Sequence, residues 1–346
     1  MKHYLISRFS LIFLFLLCSV PLLAQLQLDS LSIIGNNSFR GIAAISDSVC
    51  WISGSNGAVF RIEEAGKKII SCSPAGYDSS DFRDIHAFDE NKAFVLSAGL
   101  PAVILKTING GESWKEVYRN EEKGVFFDAF DFWNEERGIA FSDARGPYLL
   151  LIETQDGGNS WSPIEQFRIP MVHTDQGGFA ASGTCLKTFA GGKVIIGLGG
   201  PEASVLSSYD YGQHWSKGAA PIDNGEPSKG IFSFDFLDEK RILAVGGDYR
   251  GDSLSTDCIS ISLNGGHSWK TRQEAGFGLR KKYRSAVVVI NERQWLALSR
   301  TGTSYTDDAG KNWKEFPFYF YSASKAEKSI WVSGSDGKVG RIRWTE

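Results

Sequence analysis

The 346-residue sequence has no block of like charge, no run of proline or serine that would act as a linker, and only two methionines. Its 38 glycines and 10 prolines make up about 14% of the chain, well below the roughly 25–30% that marks low-complexity sequences. A phosphate loop, a His-Glu-x-x-His helix and a Gly-x-Ser-x-Gly elbow are all missing, which removes the commonest signatures of nucleotide, zinc-protease and serine-hydrolase chemistry. The formal net charge of −3 opposes non-specific binding to nucleic acid or anionic lipid. What the chain does have is aromatic: 10 Trp, 11 Tyr and 23 Phe. Flat rings suit a pleated, half-buried surface, so a β-rich core is expected.

Residues 1–24 read as an export leader. Lys2 and Arg8 precede the apolar run Leu11 to Leu17, followed by Pro21 and the small residue Ala24, so cleavage after Ala24 is expected. The run is too short for a stable span, and Leu17 before Cys18 departs from a lipidation box. The mature chain, 25–346, would carry 35 basic and 40 acidic side chains and reside in the periplasm or outside the cell. It is expected to be one domain and a monomer, with no membrane span. Cys50, Cys72, Cys185 and Cys258 remain. Four cysteines permit three pairings, the spacing favours none, and buried free thiols serve equally well in a large core.

One pattern occurs five times: a hydroxyl residue, then Asp or Asn two places on, Gly at the fifth place and Trp at the eighth. The copies are Thr107-Ile-Asn109-Gly-Gly111-Glu-Ser-Trp114, Thr154-Gln-Asp156-Gly-Gly158-Asn-Ser-Trp161, Ser208-Tyr-Asp210-Tyr-Gly212-Gln-His-Trp215, Ser262-Leu-Asn264-Gly-Gly266-His-Ser-Trp269 and Thr306-Asp-Asp308-Ala-Gly310-Lys-Asn-Trp313. The tryptophans stand 47, 54, 54 and 44 residues apart. Asp or Asn accepts backbone N–H bonds in a tight turn, Gly takes the left-handed conformation, and Trp covers the turn. Each box is therefore a structural clasp. Two further units lack it, giving seven that open near Phe39, Phe82, Phe127, Gly183, Ile231, Tyr283 and Tyr319. A period of about 46 residues suits a four-stranded propeller blade. The last unit is one strand short, and the segment Leu26 to Ile34 is a spare strand that would complete it and remove the open edge. The sequence thus predicts an all-β, seven-bladed β-propeller; a pair of β-sandwiches or a solenoid is the alternative.

The boxes resemble the Asp-box (BNR) repeats of sialidases and other exported propellers. The chain from 25 to 346 more specifically resembles the photosystem II stability/assembly-factor-like propellers. The stretch Gly177-Gly-Phe-Ala-Ala-Ser-Gly-Thr184, with Ile196-Gly-Leu-Gly-Gly200 and the box at 208–215, looks like one recurrent in bacterial members. The resemblance implies a non-enzymatic module that holds a protein or peptide client, with no cofactor.

Aligning the unit starts puts Arg40, Arg83 and Arg284 at one step of the innermost strands of blades one, two and six. Their guanidinium groups are expected to converge at the channel mouth as a site for an anion or acidic peptide, by the planar two-bond fork Arg offers a carboxylate. Structural ion pairs between blades are the competing reading, with Asp128 at the equivalent step of blade three. The same arginines raise a sialidase-like glycoside hydrolase as the alternative function. Phe167-Arg168-Ile169-Pro170 matches a sialidase tetrapeptide, but it follows the second box, whereas in that family it precedes the first; Tyr283 and Glu202 are loose candidates for its Tyr/Glu pair. Gly197-Leu-Gly199-Gly200 lacks the following helix that a dinucleotide site needs. His86 and His173 have no second ligand at metal-binding spacing, and Asp78-Ser-Ser-Asp81 reads as a solvated loop, so no metal is expected.

Overall fold

The computed structural model describes residues 26–251, 257–271, 273–278 and 282–344; the expected leader, 1–24, lies outside the described residues. Seven antiparallel sheets follow one another around a central axis. Their innermost strands are Phe39–Ala44, Phe82–Ala87, Phe127–Phe132, Leu186–Phe189, Glu226–Phe236, Ala286–Val289 and Ser322–Lys325. Six sheets have four strands, and the fifth gains the two-residue strand Gly199–Gly200. The chain is a seven-bladed β-propeller.

The burial pattern explains why the strands read as they do. Each blade is covered on both faces by its neighbours, so its second strand must be apolar or small at every step. Cys50–Gly54, Ala93–Ser97, Trp295–Ser299 and Ser329–Ser333 are buried throughout. The outermost strands, such as Lys68–Ser71 and Lys115–Asn120, contain no buried residue.

Each of the five boxes forms the connection between the third and fourth strands of blades two to six. In the box of blade three, Asp156 Oδ1 accepts the N–H groups of Asn159 (2.9 Å) and Ser160 (3.0 Å), and Thr154 Oγ1 accepts that of Gly158 (3.0 Å). The other four repeat this scheme through Asn109, Asp210, Asn264 and Asp308. Trp215, Trp269 and Trp313 donate their indole N–H to the glycine carbonyl of their own box. Trp114 instead donates to Cys72 O in the preceding blade, and Trp161 Nε1 is buried without an acceptor.

These bonds hold the carboxylates of Asp156 and Asp210 at about 2, below the usual 3.8, because the turn N–H and hydroxyl donors favour the charged form. A depressed folded-state value contributes stability that is fully present above about pH 4 and is lost as pH falls towards 2. Acid melting followed by tryptophan fluorescence should therefore begin in this window. Asp156→Asn, which lacks the stabilisation of the ionised form, should be less stable than the parent at neutral pH and shift the onset to higher pH. An unchanged onset would remove the boxes from the account of acid stability.

The ring is closed by its first strand. Leu26–Ile33 pairs antiparallel with Lys338–Trp344, from Leu26 opposite Trp344 to Ile33 opposite Lys338, and forms the outermost strand of blade seven. Asp29, at a register shift in this pairing, binds Arg341 (Nε to Oδ2, 3.0 Å) and Arg343 (Nη2 to Oδ1, 2.6 Å). Cys50, Cys72, Cys185 and Cys258 are buried and no disulfide joins them.

Candidate functional site

The channel has two chambers, separated by the glycine-rich segment 177–184 that precedes the innermost strand of blade four. This segment crosses the axis and is tied to the surrounding blades. Phe179 stacks on Phe232 of blade five (3.7 Å between centroids, 12°). Ser182 Oγ donates to Ser285 O of blade six (2.9 Å), and Ser322 Oγ of blade seven donates to Ala181 O (3.4 Å). Gly183 lies against the Asp84 carboxyl of blade two, and Gly178 against Asp128 of blade three. No side chain larger than hydrogen fits at these two glycines, which gives the segment its composition.

Below the plug, where the innermost strands end, a chamber of about 420 Å³ is lined by all seven of them. Carboxylates here stitch blade to blade. Asp84 accepts Phe130 N (2.9 Å), Asp131 accepts Thr188 N (2.9 Å) and Asp235 accepts Val289 N (2.7 Å). Of the basic side chains that face them, His86 lies 3.0 Å from Asp131, Lys187 pairs with Asp235 (2.8 Å), and Lys325 Nζ donates to Val289 O (3.2 Å) and Ile290 O.

Above the plug lies a bowl of about 310 Å³ with a different character. Phe126, Phe179, Phe232, Tyr249, Tyr283 and Tyr321 wall it, and Arg40, Arg83 and Arg300 enter it. β-bulges aim several of these side chains. The strand register skips one residue between Phe39 and Gly41, Phe82 and Asp84, Phe127 and Ala129, and Ile231 and Ser233. The skipped residues are Arg40, Arg83, Asp128 and Phe232, and all four line the bowl. A bulge leaves one residue outside the ladder and re-aims its side chain, here onto the axis.

Arg40 and Arg83 therefore converge as the sequence implies. Arg83 pairs with Asp81 (2.7 Å) and lies over the Phe126 ring (5.5 Å). Arg40 makes no ion pair among the described residues; its guanidinium lies 4.7 Å over the Tyr321 ring. Burial and the neighbouring Arg83 charge pull Arg40 below its ordinary value. A guanidinium stays protonated even so. Two adjacent cations, one of them desolvated and without a carboxylate, are an arrangement that an incoming anion stabilises.

Arg284 does not join them. Its backbone N–H bonds to Gly246 O, as Phe39 N bonds to Gly334 O and Phe127 N to Ala98 O. Ala286 pairs with Leu298 where Gly41 pairs with Ser53. Arg284 thus occupies the buried anchor step of Phe39, and the equivalence assumed from sequence was one residue out of register. A one-residue slip turns a side chain to the other face of a strand. The Arg284 guanidinium is buried inside blade six, bonded to Tyr283 O (3.0 Å), to Ser304 Oγ and, at 3.5 Å, to Glu315. Its Nε is left without a partner. Removing one partner of a buried pair is costly where it strands the other charge. Glu315, however, is partly exposed and keeps the Ser304 hydroxyl as a donor, so losing a guanidinium that is itself one bond short costs little. Arg284→Met is therefore expected to melt within about 1 kcal/mol of the parent; a loss above ~3 kcal/mol in denaturant titration would show the pair to be a stability determinant.

The remaining sequence candidates are scattered. Phe167 and Arg168 lie in a short 3₁₀ turn between blades three and four, with Phe167 exposed and Arg168 bonded to Gly212 O (2.6 Å). Glu202 pairs with Lys217 (2.8 Å), away from the bowl-lining Tyr283. Gly199–Gly200 pairs with blade five as a strand. No group of three metal-ligating side chains occurs among the described residues, and no helix there is long and apolar enough to cross a membrane.

No family model and no curated relative matches the chain. Solved structures do. A structure titled "YCF48 bound to D1 peptide" superposes with a TM-score of 0.65 at 12% identity, covering 93% of this chain and 97% of that one. YCF48 from Cyanidioschyzon merolae gives 0.63 at 14% identity, with 90% and 97% covered. The GH74 enzyme of Niastella koreensis gives 0.61 at 13% identity, covering 89% of this chain and 52% of that one. Identities this low establish the shared fold, which hosts both peptide binders and glycosidases.

Proposed function

We propose that this protein is an exported, non-catalytic propeller whose bowl holds an acidic peptide segment of a client protein. The observation that carries the reading is Arg40: a desolvated guanidinium beside a second arginine, supported by the Tyr321 ring and lacking a carboxylate of its own. Aromatic walls give a peptide backbone and its side chains flat apolar area, while the two guanidiniums fix its carboxylates. The similar fold of a structure titled as bound to a peptide accords with this. A sialidase-like hydrolase would need a Tyr/Glu pair beside three converging arginines; Arg300 does enter the bowl with Arg40 and Arg83, but no glutamate lines it among the described residues. Arg284 points into blade six and Glu202 pairs with Lys217 outside the bowl, so the glycosidase reading has less support.

Calorimetric titration with an acetylated tetraglutamate peptide tests the proposal. Arg40→Ala with Arg83→Ala should weaken binding by at least about tenfold, the loss of one charge-assisted bidentate contact, while Arg284→Met should bind as the parent does. Equal affinity for parent and double variant would sink the bowl as the site. Export is checked separately: the mass of the mature protein from its native host should correspond to a chain beginning at Gln25.

A further inference from the structure

The bowl contains one acid that neither its fold nor its arginines explain. Asp128 is 1% exposed, and its Oδ2 is buried with no hydrogen-bond donor in reach. Beside it is Asp143, whose Oδ1 accepts the Gly178 N–H of the plug (3.0 Å). The plug rests directly on both acids. A Cβ added to Gly178 would come within 2.7 Å of Asp128 Cγ, and one added to Gly177 within 1.9 Å of Asp143 Oδ1. Two carboxyls therefore share one backbone donor, Asp128 almost wholly buried and Asp143 partly so. An ionised oxygen with no donor is costly when buried, and two adjacent carboxylates cannot both be charged there. The arrangement closes only if Asp128 carries a proton and donates it to Asp143.

Resting on the reading of the bowl as an anion site, we propose that this pair regulates it: neutral Asp128 leaves Arg83 available to a ligand carboxylate, and ionised Asp128 competes for Arg83 and expels the ligand. Every charged or titratable group facing Asp128 fits this role. Arg83 approaches from the innermost strand of blade two, its Nε held by Asp81 (2.7 Å) so that its terminal nitrogens are what ligand and Asp128 compete for, and Asp143 approaches from the second strand of blade three. The Cys185 thiol, on the approach to blade four, is held neutral by its own burial. Burial and the Asp143 charge raise Asp128 well above the usual carboxylate range, while Arg83 opposes the rise. An acid raised in this way keeps its proton to higher pH than an ordinary carboxyl and ionises as pH climbs. Ligand affinity is thus highest on the acid side and falls as the negative charge appears beside Arg83. The client is accordingly one bound under mildly acidic conditions and released under alkaline ones.

The experiment is the tetraglutamate titration repeated from about pH 5.5, where the peptide is already mostly ionised, to about pH 9. Parent affinity should fall about tenfold or more over this range, the effect of placing one like charge at the site. Asp128→Asn keeps the shape and the bond to Asp143 but cannot ionise, so it should hold the acid-side affinity throughout. Parallel pH profiles for parent and variant overturn the proposal and leave the bowl standing as a binding site. Absence of binding at every pH overturns both. A direct readout needs no variant: infrared difference spectra of the parent should show the C=O stretch of a neutral carboxyl at neutral pH, lost on alkaline titration. Its absence at neutral pH overturns the shared proton whatever the fate of Asp128→Asn.

Discussion

A chain lacking residues 26–33 is expected to lose most of its stability and to associate through an exposed strand edge. The strand contributes two inward leucines. Leu26 packs with residues of blades six and seven, among them Leu298, Tyr305, Phe320 and Ile342, and Leu28 is partly buried against the same cluster. At ~2 kcal/mol for the buried Leu26 and about half that for the partly buried Leu28, this is about 3 kcal/mol. The Asp29 bonds to Arg341 and Arg343 add ~2 kcal/mol, as hydrogen bonds to charged groups do. The arginines hold Asp29 below the usual carboxylate range, so this part is present above about pH 4 and fades as pH falls below it. Together these terms are comparable to the ~5–15 kcal/mol that separates a folded domain from its unfolded chain.

The truncation also removes the partner of Lys338–Trp344, whose backbone groups would then face solvent as a template for pairing with another chain. Thermal melting should drop by more than about 10 °C, and light scattering should report association. A synthetic peptide of residues 26–33 supplied in excess should restore part of the lost stability, because it occupies the vacated edge. If the truncated chain melted within about 2 °C of the parent, closure by the first strand would contribute little to the ring.

What the sequence revealed and what it hid follow from the range of the interactions. The boxes were legible because a tight turn needs its acceptor, its glycine and its covering ring at fixed local spacing; Thr154, Asp156, Gly158 and Trp161 satisfy one another within eight residues. Ring closure was legible because a missing strand at one end and a spare one at the other are both visible in pattern. The convergence of Arg40 with Arg83 was legible because blades one and two share the Phe-Arg start and the same bulge. Arg284 was misplaced because Tyr283-Arg284 imitates that start one residue early. The pairing of Ala286 with Leu298 and the bond of Arg284 N–H to Gly246 O reveal the slip, and neither is written locally. The plug stood out in the sequence only by its likeness to a stretch recurrent in bacterial propellers, since a segment rich in Gly, Ala and Ser has no periodicity of its own. The Asp128–Asp143 pair was invisible for a related reason: the two acids lie on neighbouring strands of one blade and meet only under Gly178.

Gly183→Ala should be among the most damaging single substitutions in the chain, and Gly191→Ala shows why. Both glycines have nearly the same left-handed backbone, φ +73° and +74°. An L-residue there costs roughly 1–2 kcal/mol, so this part of the penalty is common to the two. Around Gly191 an added Cβ meets nothing within 4 Å, whereas at Gly183 it would lie 2.1 Å from Asp84 Oδ1 and 2.5 Å from Cγ. Asp84 cannot swing aside cheaply. Its two oxygens accept the N–H groups of Ile85 (2.8 Å) and Phe130 (2.9 Å), and moving it would strand both donors in the wall of the channel. The alternative is for the plug to rise towards the bowl, which separates Phe179 from Phe232 and loosens Gly178 from Asp143. Overpacking of this kind costs ~1–3 kcal/mol beyond the backbone term. Urea titration should therefore place Gly183→Ala about 3 kcal/mol below the parent and Gly191→Ala about 1 kcal/mol below it. Peptide affinity should fall in the first variant alone, because only that one displaces the floor of the bowl. Equal stability losses in the two variants, with peptide binding intact, would mean that the segment across the axis yields freely and does not hold the bowl in shape.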